Sequence, residues 1–309
     1  MYGFFRNFAG SNSYFLIPNY IILKSFSLSD AQALVSPRDP ESHKGTYGHG
    51  LLIAGSKGMA GAAIMAAQAA LRSGIGLLTV CTPECNRVIL QTAVPEAMVI
   101  PCGTDCIDRL PTNLSRYSAI AIGPGLTSND TTRQMQQTLM ESVATPLIID
   151  ADALNNIAAS PTLLSLLSEK DILTPHLGEF KRLAFPLPLP EGKGEFPSLQ
   201  EEAATFSRRH HLYLILKGHR TAVCSPTGEI SHNTTGNAGM ATGGSGDVLT
   251  GILLGLRAQG YSAWDAARLG VFVHGLAGDM AASALTEIAM TATDIIHHLP
   301  QAWHAIHPS

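Results

Sequence analysis

The chain has 309 residues, 45% of them hydrophobic and only 14% charged, with a net charge of −4. That length admits one large α/β domain or two average ones, and the apolar share supplies a sizeable core with some left for subunit contacts. No basic block stands out, which argues against nucleic acid or an anionic membrane as a partner. Five cysteines, odd in number and thinly spread, point to a reducing compartment, the cytoplasm.

Residues 1–38 carry an apolar patch, Tyr14-Phe15-Leu16-Ile17 and Tyr20-Ile21-Ile22-Leu23, interrupted by Pro18-Asn19. No small-residue cleavage site follows it, so a signal peptide is not expected. An extension, an oligomer arm and a mis-assigned start codon all fit this segment. No stretch anywhere reaches the ~18 uninterrupted apolar residues of a membrane span.

After Lys44-Gly45 the chain alternates between short apolar runs and longer helical patterns. Strands are predicted at 51–55, 77–81, 119–122, 146–150, 171–173 and 212–216, and an alanine-rich helix at 61–73 ended by Gly74. The runs are apolar throughout, as strands buried on both faces are, and their interleaving with helices predicts a mostly parallel sheet sandwiched by helices. Two runs at 221–224 and 229–232, joined by Ser225-Pro226-Thr227-Gly228, predict an antiparallel hairpin at one edge. The proline-rich stretch 185–197 is expected to be a surface loop. Helices are predicted near 247–259, 262–285 and 292–305. Cys81-x3-Cys85 and Cys102-x3-Cys106 miss the usual two-residue gap of zinc knuckles and are read as free thiols. No internal repeat or domain boundary stands out.

Residues 233–251 are the most informative. A run rich in glycine and small hydroxyl residues reaches Gly243-Gly244-Ser245-Gly246-Asp247 and opens into an apolar helical pattern. Glycine lets the backbone approach a ligand closely, and the first N–H groups of a helix attract anions. A carboxylate inside a phosphate cradle defeats binding unless it has another task. Asp247 suits proton removal from a hydroxyl while the neighbouring amides hold the transferring phosphoryl group. This run is not a dinucleotide fingerprint, because it lies before a late helix rather than in a first strand–turn–helix unit.

The predicted strands end in Gly55-Ser56, Gly123-Pro124-Gly125, Asp150-Ala151-Asp152, Thr174-Pro175-His176 and Lys217-Gly218, which parallel strands bring to one rim. Each has a plainer reading as well. Glycine and proline form turns, Asp150 suits a helix cap as well as a hydrogen-bonding or magnesium-adjacent pair with Asp152, and Lys217 suits a snorkelling surface lysine as well as a nucleotide contact.

From Glu41-Ser42-His43-Lys44-Gly45-Thr46-Tyr47-Gly48 onward the chain resembles the nucleotide-dependent NAD(P)H-hydrate dehydratases of the ribokinase-like superfamily. The resemblance is carried by that run, by Ala121-Ile122-Gly123-Pro124-Gly125-Leu126, by Asp150-Ala151-Asp152-Ala153-Leu154-Asn155, by Leu173-Thr174-Pro175-His176-x-Gly178-Glu179-Phe180, and by 237–249. It implies a ribokinase-like domain over 39–309, with 1–38 an extension containing a leading helix. It also implies ADP- or ATP-dependent repair of the (6S) hydrate of NADH and NADPH, by phosphorylation of the C6 hydroxyl and loss of phosphate. ADP is the expected donor, magnesium the expected cofactor and a homotetramer the expected assembly.

Carried over to this chain, the resemblance makes Asp247 the base, also touching substrate, and Gly244, Ser245 and Gly246 part of the anion hole. Ala62, Gly125 and His176 would contact the hydrated dinucleotide. Lys217, Gly218, His219, Arg220, Thr221 and Gly246 would line the nucleotide pocket. The resemblance leaves the magnesium ligands open. Ser245 stands where many relatives have threonine, and Ala238 where proline often follows the asparagine. Two other readings fit the same cradle: a ribokinase-like kinase acting on a vitamin-precursor alcohol, and a non-catalytic nucleotide sensor.

Overall fold

A computed structural model of the chain describes residues 15–17, 21–184 and 198–307. The proline-rich stretch 185–197 lies outside the described residues. The strands are β1 (Phe15–Ile17), β2 (Ile21–Phe26), β3 (His49–Ile53), β4 (Leu77–Thr82), β5 (Met98–Pro101), β6 (Ala119–Ile122), β7 (Leu147–Ile149), β8 (Ile172–Leu173), β9 (Tyr213–Leu216), β10 (Ala222–Cys224) and β11 (Ile230–Asn233). They form one sheet in the order β1-β2-β11-β10-β9-β8-β7-β6-β3-β4-β5. From β9 through β5 every pairing is parallel, as the uniformly apolar runs predict.

The predicted hairpin is β10–β11, antiparallel to each other, and β10 pairs antiparallel with β9. The sheet has three strands more than the sequence suggests: β5 at one edge and two from the N-terminal segment at the other. The N-terminal segment adds β2 parallel to β11, and β1 antiparallel to β2. It also supplies the short helix α1 (Leu28–Leu34), begun by a capping box between Ser27 and Asp30.

Alternate strand residues serve opposite faces. Leu52, Val80, Ala121 and Ile148 pack toward α2 (Ala60–Arg72) and, from the end of the chain, three long helices. Leu51, Ile53, Ile122 and Ile149 face a second cluster that draws Leu139, Leu154, Phe180 and Phe206 from helices on the other side. α3 (Arg87–Ala93) joins the α2 side through Leu90, and α4 (Asp130–Ser142), α5 (Ala151–Ala158), α6 (Pro161–Ser165), α7 (Leu177–Ala184) and α8 (Leu199–His210) make the other layer. The closing helices are α9 (Ser245–Ala258), α10 (Ala263–Leu285) and α11 (Ala292–Ile306), within two residues of their predicted bounds. No helix among the described residues is long and apolar enough to cross a membrane.

The alanines of α2 make a smooth face on which α9 packs closely. A Cβ at Gly251 would lie 2.1 Å from the Ala66 carbonyl oxygen, and one at Gly255 would lie 2.8 Å from Ser73 Cβ. Gly251→Ala must therefore push the helices apart, at an expected cost of about 2 kcal/mol as overpacking. Urea unfolding would show it as a lower midpoint at unchanged slope. Gly61→Ala on α2, which meets open space, serves as the neutral control.

Candidate active site

Because β3 and β6 to β9 are parallel, their carboxyl ends share one rim, and hydrogen bonds stitch those ends together. Gly55 N–H donates to Pro124 O (2.8 Å), Gly123 N–H to Ile53 O (3.2 Å), Thr174 N–H to Ile149 O (3.1 Å) and Lys217 N–H to Pro175 O (2.9 Å). His176 and Lys217 pair as a parallel bridge. Chain order reverses between β3 and β6, with β4 and β5 on one side and β7 to β9 on the other. Such a switch point opens a crevice where ligands gather. Ala62 and Gly125 meet there: a Cβ on Gly125, whose φ is +59°, would be 3.2 Å from that of Ala62.

The mouth of α9 lies over the same rim. Its N-cap is Gly244, at φ +91°, with no side chain to satisfy the first N–H groups. A Cβ there would fall 2.4 Å from Sδ of the flexible Met65 side chain, so it is the left-handed backbone that favours glycine here. By contrast α1, α4, α8 and α11 start with capping boxes.

Asp150 ties the site together. It follows β7 and is 1% exposed. Its Oδ1 accepts from Lys217 Nζ at 2.7 Å and its Oδ2 from Thr250 Oγ1 of α9 at 2.7 Å. The helix-cap reading of Asp150 does not hold, since its side chain makes no cap bond. Lys217 is likewise no snorkelling lysine: its ammonium is pinned against α9, 3.2 Å from where a Gly246 Cβ would be. A cation beside the positive end of a helix is unfavourable by itself. Asp150 offsets part of that repulsion, and an anion between the ammonium and the free amides would relieve the rest. Ala151, next along, is held at φ +48°, a strained backbone for a residue with a side chain.

Asp247 occupies the first turn of α9. Burial, then the charge of Asp150, with a smaller push from Asp152 and against the pull of Lys217, raises its carboxyl to about 7. A carboxyl near neutrality is the state a general base requires. From α10, His274 places Nε2 3.3 Å from Ser245 Oγ. Burial, aided by the Lys217 charge, lowers this imidazole to about 4, so it is neutral at pH 7. Also from α10, Asp279 accepts from Gly236 N–H and Asn237 Nδ2, each at 2.9 Å, and so fixes the loop leading to the cradle. None of Thr250, His274 or Asp279 is singled out by sequence reasoning. Each acts through tertiary contacts that leave no local pattern.

The other expected contacts fall around this centre. Nδ1 of His176 accepts from Gly178 N–H (3.0 Å), and Nε2 is 3.4 Å from Glu179 Oε1, with the ring largely exposed. Gly218 and Thr221 close a turn after β9, Thr221 Oγ1 donating to Gly218 O at 3.1 Å. His219 and Arg220 from that turn help line a cavity of about 620 Å³. Asp152 Oδ2 accepts from Thr127 N–H at 2.9 Å.

A hydroxyethylthiazole kinase from Pyrococcus horikoshii superposes over 82% of this chain and 88% of its own, with a TM-score of 0.57 at 14% identity. That likeness is one of fold, and together with the sheet order it makes the chain a ribokinase-like α/β protein. Within that class, residues 50–301 match the model of the family described as NAD(P)H-hydrate dehydratase, and the chain belongs to that family. It is 41% identical over 271 residues to the bifunctional NAD(P)H-hydrate repair enzyme Nnr of Moorella thermoacetica, covering 85% of this chain and 50% of that one. The chain thus spans about half the length of the curated relatives it matches. The ADP/ATP-dependent NAD(P)H-hydrate dehydratase of Bacillus subtilis, co-crystallized with ATP and Mg2+, is 31% identical with a TM-score of 0.77, over 94% of this chain and all of that one.

Proposed function

We propose that this chain restores NADH and NADPH from their C6-hydrated forms, using a phosphoryl donor to turn hydroxide into a leaving group. The observation that carries the reading is the half-buried carboxyl of Asp247, raised to about 7 at the uncapped mouth of α9. Asp247 takes the proton of the C6 hydroxyl. The freed oxygen bonds to the terminal phosphorus of the donor as the bond to the nucleotide breaks. Amides of residues 243–246 and the Lys217 ammonium hold the charge on the moving phosphoryl group. Phosphate then departs from C6 while the ring nitrogen supplies electrons, and loss of the C5 proton restores the dihydronicotinamide.

Ala62, Gly125 and His176 seat the dinucleotide, and Lys217, Gly218, His219, Arg220 and Thr221 the donor, with ADP preferred. Magnesium fits as an ion carried mainly by phosphates, its usual habit. Both oxygens of Asp150 are committed, no cluster of three or more His, Cys, Asp or Glu side chains gathers among the described residues, and Asp152 retains one oxygen without a protein partner among them. When bound, the ion neutralises phosphate charge. The same reading takes residues 39–309 as the catalytic domain, a homotetramer as the assembly and the cytoplasm as the location.

The test is to incubate the protein with acid-hydrated NADH, magnesium and either ADP or ATP, following both the dihydronicotinamide absorbance and phosphate release. One phosphate per restored ring is the expected stoichiometry. Absence of recovery with both donors, together with stable phosphorylation of a vitamin-precursor alcohol, would replace the dehydratase with a kinase.

A further inference from the structure

The sheet order separates two ligand seats. Ala62 and Gly125 lie over β3 and β6, Asp150 follows β7, and the cavity lined by His219 and Arg220 lies beyond β9, toward β10, β11 and β2. The cavity, about 620 Å³, falls in the range of small-molecule sites. Two of its wall segments lead to the phosphate cradle. Lys217 stands two residues before His219, and residues 232–236 run on to Gly244 through the loop that Asp279 clamps.

Its remaining wall comes from Gln200 of α8 and from the N-terminal segment. Ser25 on β2 lines the cavity and is the direct register partner of His232 on β11. Thr234 Oγ1 donates to the Phe26 carbonyl at 2.7 Å, and the Phe26 ring packs edge-on against Phe272 with centroids 5.6 Å apart. β2 is thus fastened to the wall by more than its ladder. This strand precedes residues 50–301, where the family model matches.

The wall is short of partners. His232 Nδ1 is buried with no hydrogen-bond partner among the described residues. Burial and the Arg220 guanidinium keep the ring neutral, so this nitrogen can serve a ligand as a single directional contact. An unsatisfied buried nitrogen costs free energy that a ligand atom would recover. Arg220 makes no ion pair among the described residues, leaving a planar cation free to lie on an aromatic base.

We infer that β2 completes the seat for the nucleoside of the phosphoryl donor, with Ser25 and His232 bonding the base or sugar and Arg220 stacking on the base. This rests on the donor reading above. It gives residues 1–38 a part in donor recognition and sets the donor on the far side of β7 from the dinucleotide.

Calorimetry of ADP binding to the full chain, with KM values for both ligands, tests it. Ser25→Trp fills the cavity, and His232→Phe keeps the ring while removing both nitrogens. Both variants should bind ADP at least roughly tenfold more weakly, the scale of one lost hydrogen bond or more, with the donor KM rising in step and the hydrate KM unmoved. His232→Phe is the safeguard should Ser25→Trp fail to fold. ADP affinity equal to wild type in a folded variant, or donor and hydrate KM rising together, would overturn the inference while leaving the dehydratase reading intact. A wild-type protein that binds no adenine nucleotide would sink both.

Discussion

Asp247→Asn should lower turnover by at least ~100-fold, the ordinary scale for removing a positioned general base, while adenine nucleotide still binds. The amide keeps the shape of the carboxyl and the uncapped N–H groups beside it, but it cannot accept the hydroxyl proton. In the wild type, kcat/KM should climb about tenfold per pH unit below about 7 and level off above it, because only the deprotonated carboxyl serves. Stability should move the opposite way. The folded-state value lies above that of the unfolded chain, so between about 4 and about 7 the native protein holds a proton that the unfolded one releases. The contribution is complete below that window and is lost as pH rises through about 7. Asparagine carries no charge to bury, so the variant should melt no lower than wild type at pH 8, and higher if the burial penalty dominates. Full turnover in Asp247→Asn would remove this residue from the chemistry.

Asp150→Ala should be the most damaging single change to the folded protein. It leaves Lys217 facing the positive end of α9 without its counter-charge and strands the hydroxyl of Thr250. Breaking a buried ion pair from one side costs about 3–5 kcal/mol. The lower end applies because the Lys217 side chain keeps 20% exposure. Any residual activity should also have its acid limb shifted below about 7, since the Asp150 charge raises Asp247 and the released ammonium pulls it down. Denaturant titration and a pH–rate profile of one preparation read both effects. A folded variant of wild-type stability with an unmoved acid limb would show that Asp150 neither holds Lys217 nor tunes Asp247.

Much of this arrangement is legible in the chain itself, and the limits of that legibility are physical. α9, α10 and α11 are long and periodic, so packing agrees with local pattern. The central strands show as apolar runs because both of their faces are covered. β5 escapes because Met98–Pro101 is a half-covered edge strand whose first side chain is exposed. β1 and β2 escape because they join the sheet only through the pairing of β2 with β11, some two hundred residues later. At the rim, the right residues are visible but not their bonds. Asp150 meets Lys217 and Thr250 across separations of 67 and 100 residues, and no window of sequence records that. His274 reads as any histidine on an apolar helix until Ser245 is seen beside it.

The grip on α9 has an energetic consequence. Its glycines lock onto α2, Thr250 is held by Asp150 and Ser245 is met by His274. Three independent anchors thus immobilise the donor groups before any phosphate arrives. Little ordering entropy is then charged against the incoming nucleotide, and the oriented amides need no rearrangement as negative charge builds. Affinity and rate both gain from a cradle assembled at the time of folding.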